Sequence, residues 1–149
     1  MRRKKSEGNT RRPNASKLKV GIALARFNGD ITEELLAAAQ EELRAWKVKE
    51  KNIRIVRVAG SFELPIACQR LIKKRNVDVV VALGCIVKGE TDHDGYLAEA
   101  VFNALQRLSL KYDRPVGLGI LTVNTLAQAK KRIDYGSAAA SAALEVALL

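Results

Sequence analysis

The chain is poor in the residues that announce covalent architecture or metal chemistry. Two cysteines and one histidine in 149 residues leave no disulfide framework and no spaced set of zinc ligands. Cys68 and Cys85 sit inside apolar or strand–helix segments, which predicts reduced thiols and a cytosolic setting. No uninterrupted apolar run approaches the roughly 18 residues needed to cross a bilayer. The basic start is not followed by the apolar core of a secretion signal, so the reading is a soluble protein without membrane contact. Acidic charge is also scarce, with 16 Asp and Glu against 26 Lys and Arg, a formal +10. Residues 1–19 hold eight cations against the single Glu7, +7 of that total, so the basic balance describes a tail.

The segment 1–17, MRRKKSEGNTRRPNASK, has almost nothing to bury and is predicted to be a disordered basic arm ahead of one folded domain, 18–149. Such an arm can attract RNA, but a solvated tail is the commoner outcome, and nucleic acid is not the expected partner.

From Leu18 onward two periods alternate. Leu18–Leu24, Ile53–Val58, Asp78–Gly84 and Pro115–Leu121 are short, β-rich apolar runs and are predicted strands. Between them, Ile31, Leu35, Ala39, Leu43 and Trp46 recur at helical steps, with Asp30 the expected N-cap. Phe62–Lys74 repeats the design, with Phe62, Ile66, Cys68 or Gln69 and Leu71–Ile72 expected inward. Gly95–Lys111, Thr125–Arg132 and Ser137–Leu149 are the remaining helices. Four strand–helix units predict an α/β fold: a flavodoxin-like three-layer sandwich with a four-stranded parallel sheet. The last helix carries one charge, Glu145. An element so apolar needs cover on several sides, either from a neighbouring subunit or at the edge of its own sheet.

Ligands in such sheets bind beyond the carboxyl ends of the strands. Three turns fall there: Arg26–Asp30, Ala59–Glu63 and Cys85–Asp94. Gly84-x-x-x-x-Gly89-Glu90-Thr91 comes close to a P-loop, but Glu90 stands where the lysine belongs and would repel a triphosphate. A glycine turn running into a helix still offers backbone N–H groups and the Thr91 hydroxyl to a single phosphate. His93 is the one side chain whose ordinary pKa suits proton exchange near neutrality. Phe27 either packs under the sheet or stacks on a planar ring. Glu63 either favours the following helix N-terminus or accepts hydrogen bonds from a polyol, and Arg132 is either a C-terminal helix cation or a phosphate partner. Read from residues alone, the rim suits condensation or elimination on a phosphorylated small molecule with a planar partner, without metal or redox group.

The stretches ARFN (Ala25–Asn28), VAGSFELP (Val58–Pro65), ALGCIVKGETDHD (Ala82–Asp94), Pro115–Thr122 and Gln128–Arg132 together resemble the 6,7-dimethyl-8-ribityllumazine synthase family. The likeness runs from about Leu18 to the end, and the GETDHD and RIDYG forms resemble its archaeal-type branch. The resemblance implies a cofactor-independent condensation of 5-amino-6-(ribitylamino)uracil with 3,4-dihydroxy-2-butanone 4-phosphate in riboflavin biosynthesis. It implies that Phe27 and Asn28 are substrate-binding, with Phe27 stacked on the pyrimidine, and that Ser61, Phe62 and Glu63 are substrate-binding too, with Ser61 and Glu63 holding the ribityl chain. Cys85, Ile86 and Val87 would line the pyrimidine site. Gly89, Glu90 and Thr91 would bind phosphate opposite Arg132, and His93 would move protons. Leu118 replaces an aromatic often found beside the pyrimidine, and the link Ile133–Ser137 is short. The family forms pentamers with active sites shared between neighbours, sometimes assembled further into decamers or 60-subunit shells. The rival readings are an archaeal-type riboflavin synthase, a flavin or lumazine carrier without catalysis, and an RNA-binding module using the basic arm.

Overall fold

Alternating side chains on four hydrophobic strands must be covered on both faces, and the chain supplies helices for each. The computed structural model describes residues 12–149. Its order is β1 (Val20–Ala25), α1 (Gly29–Ala45), β2 (Ile53–Val58), α2 (Leu64–Arg75), β3 (Val79–Val87), α3 (His93–Tyr112), β4 (Val116–Val123), α4 (Leu126–Lys130) and α5 (Tyr135–Ala147), with 3-10 turns at Glu50–Asn52 and Ser61–Glu63. The four strands form one parallel sheet in the order β2-β1-β3-β4, the flavodoxin-like arrangement.

The two faces separate by strand parity. Ile22, Leu24, Val79, Val81, Leu83 and Leu121 pack with α1 and α5, including Leu35, Leu43 and Leu144. Ala23, Val80, Ala82 and Ile120 pack with Leu64, Leu71, Val101 and Leu105 of α2 and α3. Each large aliphatic side chain buried this way contributes roughly 1.5–3 kcal/mol over an exposed one. Among the described residues no helix is long and apolar enough to cross a membrane.

Several local expectations change. β3 does not stop at Gly84 but continues through Val87, because Gly84–Val87 pair with Ile120–Val123 of β4. Asp30 is not the N-cap of α1. Asn28 holds that position in the left-handed conformation, φ 58° and ψ 45°, and Asp30 lies in the first turn, where its charge suits the dipole. Phe62 and Ile66 face solvent, because Ser61–Glu63 form a 3-10 turn that rotates the helical stripe onto Leu64, Ala67 and Cys68. Part of the segment assigned to the arm also packs on the body. Ala15 is buried, its N–H donates to the Trp46 carbonyl at 2.8 Å, and Arg12 pairs with Glu42 at 2.9 Å. Residues 1–11, the rest of that arm, lie outside the described residues.

The inner face of the closing helix α5 is covered within its own subunit, while Tyr135, Ala138, Ala142 and Val146 on its other side stay exposed. Gly136, Ala139, Ala140, Ala143 and Leu144 are buried, mostly small, and let α5 lie close on α1 and the sheet. A methyl group on Gly136 would run into the Leu35 carbonyl oxygen of α1. Gly136→Ala should therefore cost about 1–3 kcal/mol by overpacking, read as a lower urea midpoint with unchanged slope. Burial raises the Cys68 thiol from its ordinary value of 9.0 to about 12. Its contribution to stability is fully present below about pH 9 and is lost as pH rises through 12, because the unfolded chain releases the proton first. In urea titrations from about pH 9 to 11, Cys68→Ala should show a shallower alkaline decline than the parent, by up to about 1.4 kcal/mol per pH unit.

Candidate active site

The carboxyl ends of the strands are uneven, and the step between them makes a pocket. Pairing of β1 with β3 ends at Leu24–Leu83, while β3 runs on to Val87. The last residues of β3, Cys85–Val87, form one wall of a cavity of about 530 Å³ although Cys85 and Ile86 are largely buried. Phe27 enters from the turn after β1, Gly60–Glu63 from the turn after β2, and His93, Asp94 and Leu97 from the first turns of α3.

Each wall has a local cause. The N–H groups of Arg26 and Phe27 donate to the carbonyls of Val58 and Ala59, which ties the start of the turn after β1 to the end of β2. The chain then turns through Asn28, and the Phe27 ring is left 71% exposed above the cavity and not under the sheet. Ser61 is buried beside β3 because Gly84 has no side chain: a Cβ there would sit 2.7 Å from the Ser61 Oγ. Gly84 thus serves close packing inside a strand, not a phosphate-binding turn. The Asn28 side-chain amide donates to the Cys85 carbonyl at 2.9 Å. The Cys85 side chain packs into the α1 and α5 core, and burial there raises its thiol above the ordinary range, which makes it a poor nucleophile.

His93 is the first residue of α3, exposed to the cavity mouth, with its backbone N–H donating to the Thr91 Oγ at 3.3 Å. Leu97 follows one helical turn later on the same face, which is how it reaches the cavity. Helical spacing from His93 was the signal for it in the sequence; Asp94 and Gly60 came in with the turns that carry them.

The other predicted site residues lie elsewhere. Gly89, Glu90 and Thr91 are exposed in the loop joining β3 to α3 and do not line the cavity. Leu118 and Arg132 line a separate cavity of about 190 Å³ with Phe102, Ile120, Leu121, Thr122 and Tyr135. Asn28 does not line either. A groove of about 320 Å³ beside β2 and α2 carries Arg70, Lys74 and Arg75 but no group that exchanges protons near neutrality. Among the described residues, no three His, Cys, Asp or Glu side chains gather as a metal-ligand set.

The large cavity can therefore stack a planar ring on Phe27, offer hydroxyl and carboxylate groups to a polyol, and move a proton at its mouth. The small one presents a guanidinium beside apolar and aromatic walls. Residues 17–149 match the family model described as 6,7-dimethyl-8-ribityllumazine synthase. Curated relatives named 6,7-dimethyl-8-ribityllumazine synthase include one from Polaromonas sp., 42% identical over 96% of this chain and 94% of its own. One from Paracidovorax citrulli is 44% identical over the same shares, and one from Lactiplantibacillus plantarum is 39% identical over 91% and 86%. With a parallel sheet in this order, a cavity at its carboxyl edge and matches spanning nearly the whole sequence, the chain belongs to the 6,7-dimethyl-8-ribityllumazine synthase family.

Proposed function

We propose that this chain condenses 5-amino-6-(ribitylamino)uracil with 3,4-dihydroxy-2-butanone 4-phosphate to give 6,7-dimethyl-8-ribityllumazine, phosphate and water. The observation that carries the reading is the meeting of Phe27, Ser61, Glu63 and His93 in one cavity from two separate turns and the start of α3. In this reading the pyrimidine stacks on Phe27 against the Cys85–Val87 wall, and the ribityl hydroxyls reach Ser61 and Glu63. The 5-amino group forms an imine with the ketone and releases water, phosphate leaves by elimination, and the ribitylamino nitrogen closes the second ring with loss of a second water. Every step moves a proton at a neutral centre, and the His93 imidazole serves as acid and base in turn. Holding two flexible reactants in register supplies about 7–11 kcal/mol of the acceleration.

The phosphate end lies on the loop Gly89–Thr91. Its countercharge, Arg132, sits in the second cavity with Leu118, apart from His93. We place these two cavities opposite one another across a subunit contact, so that Arg132 and Leu118 of one copy complete the His93 cavity of the next. That arrangement supports a homo-oligomer built on pentamers. The GETDHD loop and the short Ile133–Ser137 link favour the archaeal-type branch, and the two free thiols suit a cytoplasmic enzyme.

Mixing the two substrates with the protein should produce lumazine fluorescence; riboflavin appearing from lumazine alone would assign the rival synthase instead. His93→Ala should slow turnover about 10²–10⁴-fold while leaving the affinity for a pyrimidine analogue within about twofold. Arg132→Ala should raise the KM for the phosphorylated ketone much more than that for the pyrimidine. Co-refolded equal mixtures of these two variants should regain up to about a quarter of the parent activity, because shared sites pair an intact His93 with an intact Arg132.

A further inference from the structure

We infer that Asn28 is a positioning residue that locks the Phe27 turn onto strand β3 and never touches the substrate; the inference rests on the proposed condensation for its kinetic consequences. Three observations carry it. First, Asn28 is the residue where the chain changes direction from β1 into α1, and its backbone is left-handed, φ 58° and ψ 45°. Asparagine tolerates that region better than most residues, and its carbonyl still starts the helix by accepting from Ile31 and Thr32 at 3.0 and 3.1 Å.

Second, its side chain replaces a missing strand. β1 pairs with β3 only as far as Leu24–Leu83, so Cys85, two residues further on, has no β1 neighbour. The Asn28 Nδ2 donates to the Cys85 carbonyl at 2.9 Å in a part-buried position, supplying the donor that a longer β1 would have provided. Third, the two ends of this bridge are cavity walls while the bridge is not. Phe27 and Cys85 line the large cavity and Asn28 does not. An aromatic ring 71% exposed on a turn has little packing of its own to fix it, so its height above the Cys85–Val87 wall is set by the backbone on either side. One side is tied to β2 through the Arg26 and Phe27 N–H groups, and the other is tied to β3 through Asn28.

Glycine at this position keeps the left-handed backbone and removes only the bridge, whereas alanine removes the bridge and strains the backbone. Asn28→Gly should raise the KM for the pyrimidine by about tenfold and leave the KM for the phosphorylated ketone little changed, with a modest fall in melting temperature because the Cys85 carbonyl loses its donor. In a Phe27→Ala background the same change should cost less than about twofold, since the ring it positions is gone. Amide exchange at Phe27, read without substrate, should speed up in Asn28→Gly. Full parental kinetics in Asn28→Gly would overturn the clamp and leave only the backbone conformation. An undiminished loss in the Phe27→Ala background would make Asn28 a direct substrate contact, and parallel rises in both KM values would make it merely structural. Absence of lumazine from the parent protein would sink the condensation itself, and the exchange measurement would still decide the clamp.

Discussion

The unequal length of neighbouring strands is the constraint on which the site depends. β3 outruns β1 by several residues on the carboxyl side, and backbone groups that would otherwise lie inside the sheet are presented to a cavity. An unpaired carbonyl in such a place demands a donor. The fold answers on one flank with β4, which stays paired to Val87, and on the other with an asparagine side chain. The cavity therefore has a rigid wall of strand and a rim of turns, each anchored to a different strand.

The opposite face solves a different problem. α5 has little amphipathic contrast, and its inner residues are alanine and glycine, so it stabilises by proximity more than by bulk. Dispersion and area burial between α1 and α5 depend on the two backbones nearly touching at Gly136 and Leu35. The sheet side of this seam contains no catalytic candidate, which leaves chemistry to the α2–α3 side and its rim.

Much of this was legible in the sequence because the strands and the α1 stripe follow strict periods. Ile31, Leu35, Ala39, Leu43 and Trp46 are all buried as their spacing implies. The errors arose where period and punctuation conflict. Gly84 reads as the start of a loop, yet Cys85–Val87 are as apolar as the strand before them and continue it. Phe62 and Ile66 read as inward because a 3-10 turn is invisible to a 3.6-residue count. Ala15 is too small to signal burial. The turns around Phe27, Ser61 and His93 were readable as one rim because parallel topology brings strand ends together. The placement of Leu118 and Arg132 in a separate cavity was not, since a linear sequence gives order along the sheet but not which cavity a side chain enters.

The stem between α4 and α5 shows what a seam without slack does at a distance. From Arg132 the chain passes through successive tight turns, the Tyr135 N–H donating to the Arg132 carbonyl at 3.0 Å and the Gly136 N–H to that of Ile133 at 3.1 Å, and then enters α5 where it is wedged against α1. The guanidinium and the Tyr135 phenol are therefore mounted on a bracket bolted to the protein interior. Any lengthening of that bracket would have to bulge into solvent, and the charge it carries would lose its fixed address before the helix behind it noticed.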